Sequence, residues 1–429
     1  MPTASLARSL ALGLPLGLGL GLGLALAACG ADDGGSASPD ARPAIDAPAG
    51  AIDAPPADVD AAPAGTAVRV HYPAGAHTIA LRGSGGSLSW TAGTTMTAGG
   101  DDTWTLTFAD LDAPIELKPL LDDATWSRGP NYHLAPGQTV DLYPHFTSTH
   151  GQVTTLVQSF HSDALGDTRT IRAYLPPGYG ENTRARYPVV YMHDGQNLFD
   201  PATAFGGVEW QVDEAFDAAG ETGRCTNGDA CGNDGDCGGA GLCLTTREAI
   251  VIGIDNDLDR IWELTPTRDA SEGDGGGADA YIMMIAGELK PMVDQMLRTQ
   301  PDAADTAIVG SSLGGLVSAY AGVKKPATFG LVGAMSPSTW WDNRVIIGDV
   351  SATAGVTPRP LRVYVDSGDA GPSNDDVTNT TDLAAAYAAL GYVEGTTLHH
   401  VVQPGGMHNE LYWSQRFPGA MFFLLGAGN

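Results

Sequence analysis

The sequence predicts an α/β protein, in which a mainly parallel central sheet covered by helices on both faces follows a small all-β module. Three observations carry this expectation. From Ser159 onward, apolar β-branched runs ("TIRAYLP", "YPVVYMHD", "AIVIGID", "TAIVGSS", "GLVGAMS", "LRVYVDSG", "TLHHVVQP") alternate with helix-like stretches at 281–297 and 382–390. Such alternation is what a parallel sheet with helical crossovers requires. Between Val68 and about Phe146 the apolar runs are short, closely spaced and separated by Gly, Asp and Pro turns, the pattern of a small antiparallel sandwich. At 429 residues the chain also exceeds what one core usually holds.

The N-terminal segment comes first. One early cation, Arg8, precedes an apolar run of Leu, Gly and Ala reaching Ala28. Its glycines and Pro15 make a poor permanent helix and suit a cleaved signal segment. The run ends in Leu26-Ala27-Ala28-Cys29, which resembles the lipobox of bacterial lipoproteins. That resemblance implies a signal peptide over 1–29, lipidation of Cys29 and contact with the cell envelope through the lipid anchor alone. Residues 30–66 are Ala, Pro, Asp and Gly with almost nothing large and apolar, as expected of a disordered tether. The formal charge of −28, from 50 acidic against 22 basic residues, opposes binding to nucleic acid.

The β-module is expected over 67–147. "LRGSGGSLSW", "DTWTLTF" and "ELKPLLDDATWSRGPNY" loosely resemble immunoglobulin-like modules related to starch-binding domains. Trp90, Trp104 and Trp126 are accordingly candidates for stacking on sugar rings, against the plainer role of sandwich core. A catalytic domain over 155–427 follows, interrupted at 224–244 by "CTNGDACGNDGDCGGAGLC". Cys225, Cys231, Cys237 and Cys243 are evenly spaced there, with five residues between each, among residues that build no core. Two disulfides in one of three pairings, in an exported protein, suit this pattern better than a four-Cys zinc site, whose ligands usually come in close pairs.

The chemistry is expected at the carboxyl ends of the parallel strands. "TAIVGSSLGGLVSAY" sets Gly310-Ser311-Ser312-Leu313-Gly314 directly between a buried strand and a helix, the context of a nucleophile elbow. Ser312 would stand at the tip of a sharp turn, and the Leu313 N–H would face a developing oxyanion. A serine hydroxyl needs a base. Of the three histidines beyond Ser312, His399 and His400 are adjacent within a strand, whereas His408 sits in the loop "GGMHNELYW" just past it and is the expected base. The acid is expected in "DSGDAGPSNDD", from the pair Asp375 and Asp376, with Asp375 preferred. The second oxyanion donor is assigned to the Gln196 N–H in the loop after "YPVVYMHD". His193 lies in that loop and is expected in the substrate pocket or as a structural partner, not as the base.

Taken in order, "YPVVYMHDGQN", "AIVIGIDND", "GSSLGGL", "MSPSTWW" and "GGMHNELYW" resemble the putative esterase family of α/β-hydrolases, which includes esterase D-like, feruloyl and acetyl-xylan esterases, siderophore esterases and mycolyltransferases. The resemblance covers about 159–426. It implies an α/β-hydrolase fold, a triad of Ser312, His408 and the Asp375/Asp376 loop, an oxyanion hole at Gln196 and Leu313, and carboxylic-ester hydrolysis through an acyl-enzyme with no metal or organic cofactor. Trp340 and Trp341 are then expected to line the pocket, with packing as the alternative for at least one. Carbohydrate-linked or siderophore-type esters are the expected substrates. The alternatives are acyl transfer to an alcohol, and a catalytically silent carbohydrate-binding lipoprotein.

Overall fold

The computed structural model describes residues 65–225, 229–238 and 241–428. The expected signal peptide, Cys29 and the tether up to residue 64 lie outside the described residues.

The described residues open with a β-module of two sheets. Thr66–His71 pairs antiparallel with Thr103–Phe108 and, on its other edge, parallel with Thr139–Leu142. The second sheet is built on the antiparallel pair Ile79–Gly83 and Ile115–Leu121. Alternate residues point inward, so Val68, Val70, Ile79, Leu81, Leu117, Leu134 and Leu142 form one core between the sheets. The sandwich is therefore not wholly antiparallel. Its first strand also starts at Thr66, one residue inside the expected tether.

The second region is an eight-stranded sheet in the order Gln152–Ser162, Asp167–Leu175, Ile250–Ile254, Val189–His193, Thr306–Ser312, Leu331–Pro337, Arg362–Gly368, Leu398–Gln403. The first two strands form an antiparallel hairpin at one edge, Asp167–Leu175 also pairs antiparallel with Ile250–Ile254, and every later pair is parallel. Side chains alternate across the strands, so both faces are apolar. Val189, Tyr191 and Ile308 enter one core, while Val190, Met192 and Val309 enter the other. The first core is covered by Leu313–Lys324 and Val377–Ala389, and the second by Val212–Glu221 and Glu410–Leu425. Each fully buried Val, Leu or Ile stabilises this arrangement by about 1.5–3 kcal/mol.

Polar contacts fix the module to the sheet region. Glu181 accepts from the backbone N–H groups of Phe146, Thr147 and Ser148 and from the Thr147 hydroxyl. Burial opposes ionisation of Glu181, but these donors outweigh it and hold the carboxyl at about 2. The Cys-rich insertion closes through disulfides Cys225–Cys237 and Cys231–Cys243. Its Asp234 meets His133 of the module at 2.9 Å, which anchors the insertion against the sandwich.

Candidate active site

The strand Thr306–Ser312 runs straight into the helix Leu313–Lys324, and Ser312 takes φ 56° and ψ −123° at the junction. A non-glycine residue in that region costs about 1–3 kcal/mol and persists only where its surroundings impose it. Here the neighbouring glycines impose it. A Cβ on Gly310 would lie 2.6 Å from the His193 ring, and one on Gly315 would lie 2.8 Å from the Met335 carbonyl oxygen. Only glycine lets strand and helix approach so closely, which leaves the Ser312 side chain at the sheet's carboxyl edge.

Ser312 and His408 line one cavity of about 480 Å³, together with Gln196, Phe205, Arg260, Glu410 and Trp413. Nδ1 of His408 donates to Oδ1 of Asp375 at 2.6 Å. The Asp375 side chain is fully buried. Its other oxygen accepts from the Ser336 hydroxyl at 2.7 Å and from the Gly368 N–H. Burial works against its charge, yet the His408, Gly368 and Ser336 donors outweigh that penalty and keep the carboxyl below the ordinary aspartate range. Trp413 meets the His408 ring edge-on, with centroids 5.0 Å apart, and restricts its tilt. Among the described residues the hydrogen-bond partner of Ser312 Oγ is Ser338 Oγ at 3.3 Å, not His408.

Two backbone N–H groups head helical turns beside this serine. Leu313 is the first residue of its helix, and Gln196 sits in the short turn Gly195–Asn197 at the end of Val189–His193. Such N–H groups have no intrahelical acceptor. The Gln196 turn is braced from the loop after Ile250–Ile254. Arg260 grips both oxygens of Asp194 at 2.6 and 2.7 Å, and the Asn256 N–H donates to the Gln196 side chain at 3.1 Å. Asp194 is buried, with φ 56°, and its desolvation is outweighed by Arg260, so its carboxyl stays low.

Several expected positions are corrected. Asp376 does not face His408. Its carboxylate takes Nδ2 of Asn379 at 2.7 Å and the Trp340 N–H, because the left-handed turn at 374–376 sends successive side chains apart. His193 does not line the cavity. It is buried behind the elbow, between the Tyr281 hydroxyl at 2.9 Å and Ser318 Oγ at 3.1 Å. Trp341 is also a packing residue, buried with its Nε1–H on the Thr267 carbonyl. Trp340 is exposed and likewise not among the residues lining this cavity. Phe205 and Arg260 line it without having been singled out, and no short motif marks them; Glu410 also lines it, two residues past His408 inside the quoted "GGMHNELYW". Trp413 stood inside the quoted "GGMHNELYW", five residues past His408, and helical spacing was the available signal.

The model of the family described as "Putative esterase" matches residues 162–222 and 239–424. The chain belongs to the putative esterase family. The esterase is 25% identical over 276 residues to the uncharacterized protein YbbA of Bacillus subtilis, a match covering 62% of this chain and 96% of that protein. It is 39% identical over 72 residues to the siderophore enterobactin esterase of Emericella nidulans, covering 17% of this chain and 24% of that one. Among solved structures, the enterobactin esterase of Shigella flexneri aligns with a TM-score of 0.46 at 16% identity, over 81% of this chain and 87% of that chain. The family's break between 222 and 239 overlaps the disulfide-bonded insertion. The largely parallel sheet with helices on both faces is an α/β-hydrolase-like fold, and membership of this family makes the protein an ester hydrolase.

Proposed function

We propose that the esterase cleaves carboxylic esters by a two-step serine mechanism. Ser312 is the nucleophile, His408 the general base and Asp375 the carboxylate that orients it. The observation that carries this reading is the buried Asp375–His408 hydrogen bond on the wall of the cavity that exposes Ser312. Because Asp375 accepts at Nδ1, the neutral imidazole presents Nε2 as a lone-pair base. Ser312 Oγ turns from Ser338 toward Nε2 as substrate enters, a rotation about one side-chain bond; such contacts commonly tighten only in the complex.

Oγ then attacks the ester carbonyl carbon, and its proton passes to Nε2. The tetrahedral oxyanion is held by the N–H groups of Leu313 and Gln196. Collapse breaks the acyl C–O bond, and His408 returns the proton to the departing alcohol. Water, deprotonated by His408, attacks the acyl-enzyme and frees the acid. Names of relatives such as siderophore esterase and endo-1,4-beta-xylanase/feruloyl esterase support bulky aryl-acyl or sugar-linked esters as substrates. Phe205, 78% exposed on the cavity wall, suits an aromatic group there. The two disulfides suit an exported protein.

The deciding experiment is Ser312→Ala. Turnover of an aryl acetate should vanish with the fold intact, and a fluorophosphonate probe should label the native protein alone. Continued labelling of the variant would place the nucleophile elsewhere.

The module supports an additional reading. Trp90 and Trp126 are both exposed, with ring centroids 6.2 Å apart, beside a shallow cavity of about 440 Å³ that also includes Lys118, Asn131 and Asn233. We read this pair as a platform for a sugar ring. Trp104 is not part of it; it lies on the other sheet with its Nε1–H on the Tyr72 carbonyl.

A further inference from the structure

Asp375 holds His408 with one oxygen, so what controls its other oxygen decides how well it does so. That oxygen accepts from Ser336 Oγ. A serine hydroxyl can donate only one hydrogen, and it could equally well be turned elsewhere. The neighbouring groups remove that freedom. Nη2 of Arg416 lies 2.6 Å from Ser336 Oγ, and a guanidinium has no acceptor, so Arg416 must occupy a lone pair of this hydroxyl. The Ser336 hydrogen is thereby directed to Asp375. The backbone N–H of Ser336 donates to Oδ1 of Asp366 at 2.9 Å, and Oδ2 of Asp366 pairs with Nε of Arg416 at 2.9 Å. Nη1 of Arg416 is fixed on the Gln403 side chain at 2.8 Å.

The Asp366–Arg416 ion pair therefore grips Ser336 at both its polar ends, and Ser336 grips Asp375. The side chains of Arg416, Asp366 and Asp375 are at most 4% exposed, so water offers no substitute. The arrangement also joins three separate elements: the strands Leu331–Pro337 and Arg362–Gly368 and the helix Glu410–Leu425. Ser336 sits at the tip of its strand with φ 36°, a backbone conformation that by itself favours glycine.

We infer that Ser336 is a positioning residue for the proposed acid, with its hydroxyl direction set by the Asp366–Arg416 pair. This inference rests on the reading of Ser312, His408 and Asp375 as a triad. The left-handed φ supplies a discriminating experiment. If Ser336 matters only as a turn, Ser336→Gly should be neutral or stabilising. If its hydroxyl holds Asp375, Ser336→Gly and Ser336→Ala should both lower kcat on one aryl ester, by about tenfold to a hundredfold, with KM within about twofold.

Arg416→Lys should also lower kcat, since one ammonium lacks the planar fork that serves Asp366, Ser336 and Gln403 together. Arg416→Met should lose more, because it leaves the buried Asp366 carboxylate without its cationic partner. Folding would be checked by circular dichroism. Wild-type kcat in folded Ser336→Gly would overturn the inference, as would wild-type kcat in folded Arg416→Lys should the serine variants fail to fold. Fluorophosphonate labelling of the native enzyme is run alongside. Absence of labelling at Ser312 would instead defeat the triad reading, so the two failures are distinguishable.

Discussion

Asp375 and Asp376 are consecutive, yet only Asp375 reaches His408, at 2.6 Å, while Asp376 is turned to Asn379 and the N–H of Trp340. The cause is local backbone. Asn374, Asp375 and Asp376 all have φ near +50°, so the chain coils in a left-handed turn and sends neighbouring side chains in different directions.

Asp375→Asn should therefore lower kcat by about 10²- to 10⁴-fold, because the amide can hold the wrong imidazole tautomer. Asp376→Asn should stay within about threefold of the native rate. Steady-state assays of both purified variants on one aryl ester check this. Equal losses would mean that the turn, not the carboxylate, is what the substitutions disturb.

Arg260 bears on the proposed oxyanion loop through Asp194. Replacing it with Met leaves a buried Asp194 carboxylate without its bidentate partner, which should loosen the Gln196 turn. We expect kcat to drop about tenfold or more, and stability to fall by about 3–5 kcal/mol. Urea unfolding together with kcat measurement tests both. Full activity in a destabilised variant would detach the Gln196 N–H from catalysis.

His193 makes acid stability predictable. The Ser318 hydroxyl donates to the Gly314 carbonyl, so its oxygen must accept from Nε2–H of His193, while Nδ1 accepts from Tyr281. This is the neutral ring, and burial lowers its pKa from 6.5 to about 4. The unfolded chain binds the proton first, so stability is intact above pH 6.5 and declines as pH falls toward 4, by about 3 kcal/mol. His193→Gln should be less stable at neutral pH but lose less on acidification. Urea melts at pH 7.5 and 4.5 measure the difference, and identical pH slopes for the two proteins would refute it.

Trp90→Ala and Trp126→Ala should leave small-ester turnover within about twofold of native, because neither lines the Ser312 cavity. If the pair is a sugar platform, each should weaken retention on insoluble polysaccharide by about 1–2 kcal/mol, or five- to thirtyfold. Affinity electrophoresis in gels cast with different neutral glucans and xylans reads this directly. Trp104→Ala is the control for a tryptophan outside the pair.

The sequence by itself determined what is set by local pattern. Alternating apolar runs fixed the central sheet, since buried parallel strands must be apolar on both faces. The glycines around Ser312 fixed the elbow, because no other residue permits strand and helix to approach so closely. His408 was legible by its place in a loop just beyond a strand. What the tertiary structure alone decided depends on backbone direction and on contacts far apart in the chain. The choice between Asp375 and Asp376 hung on a left-handed turn that composition does not announce. For His193 and Trp341 the motifs left pocket and structural roles open, and both lie behind the site, because a motif gives neighbourhood and not side-chain direction. Arg416 and Ser336 are 80 residues apart, and no spacing in the sequence relates them. Only the packing of the last helix against the tips of two strands brings the guanidinium to the hydroxyl, where burial keeps water from both.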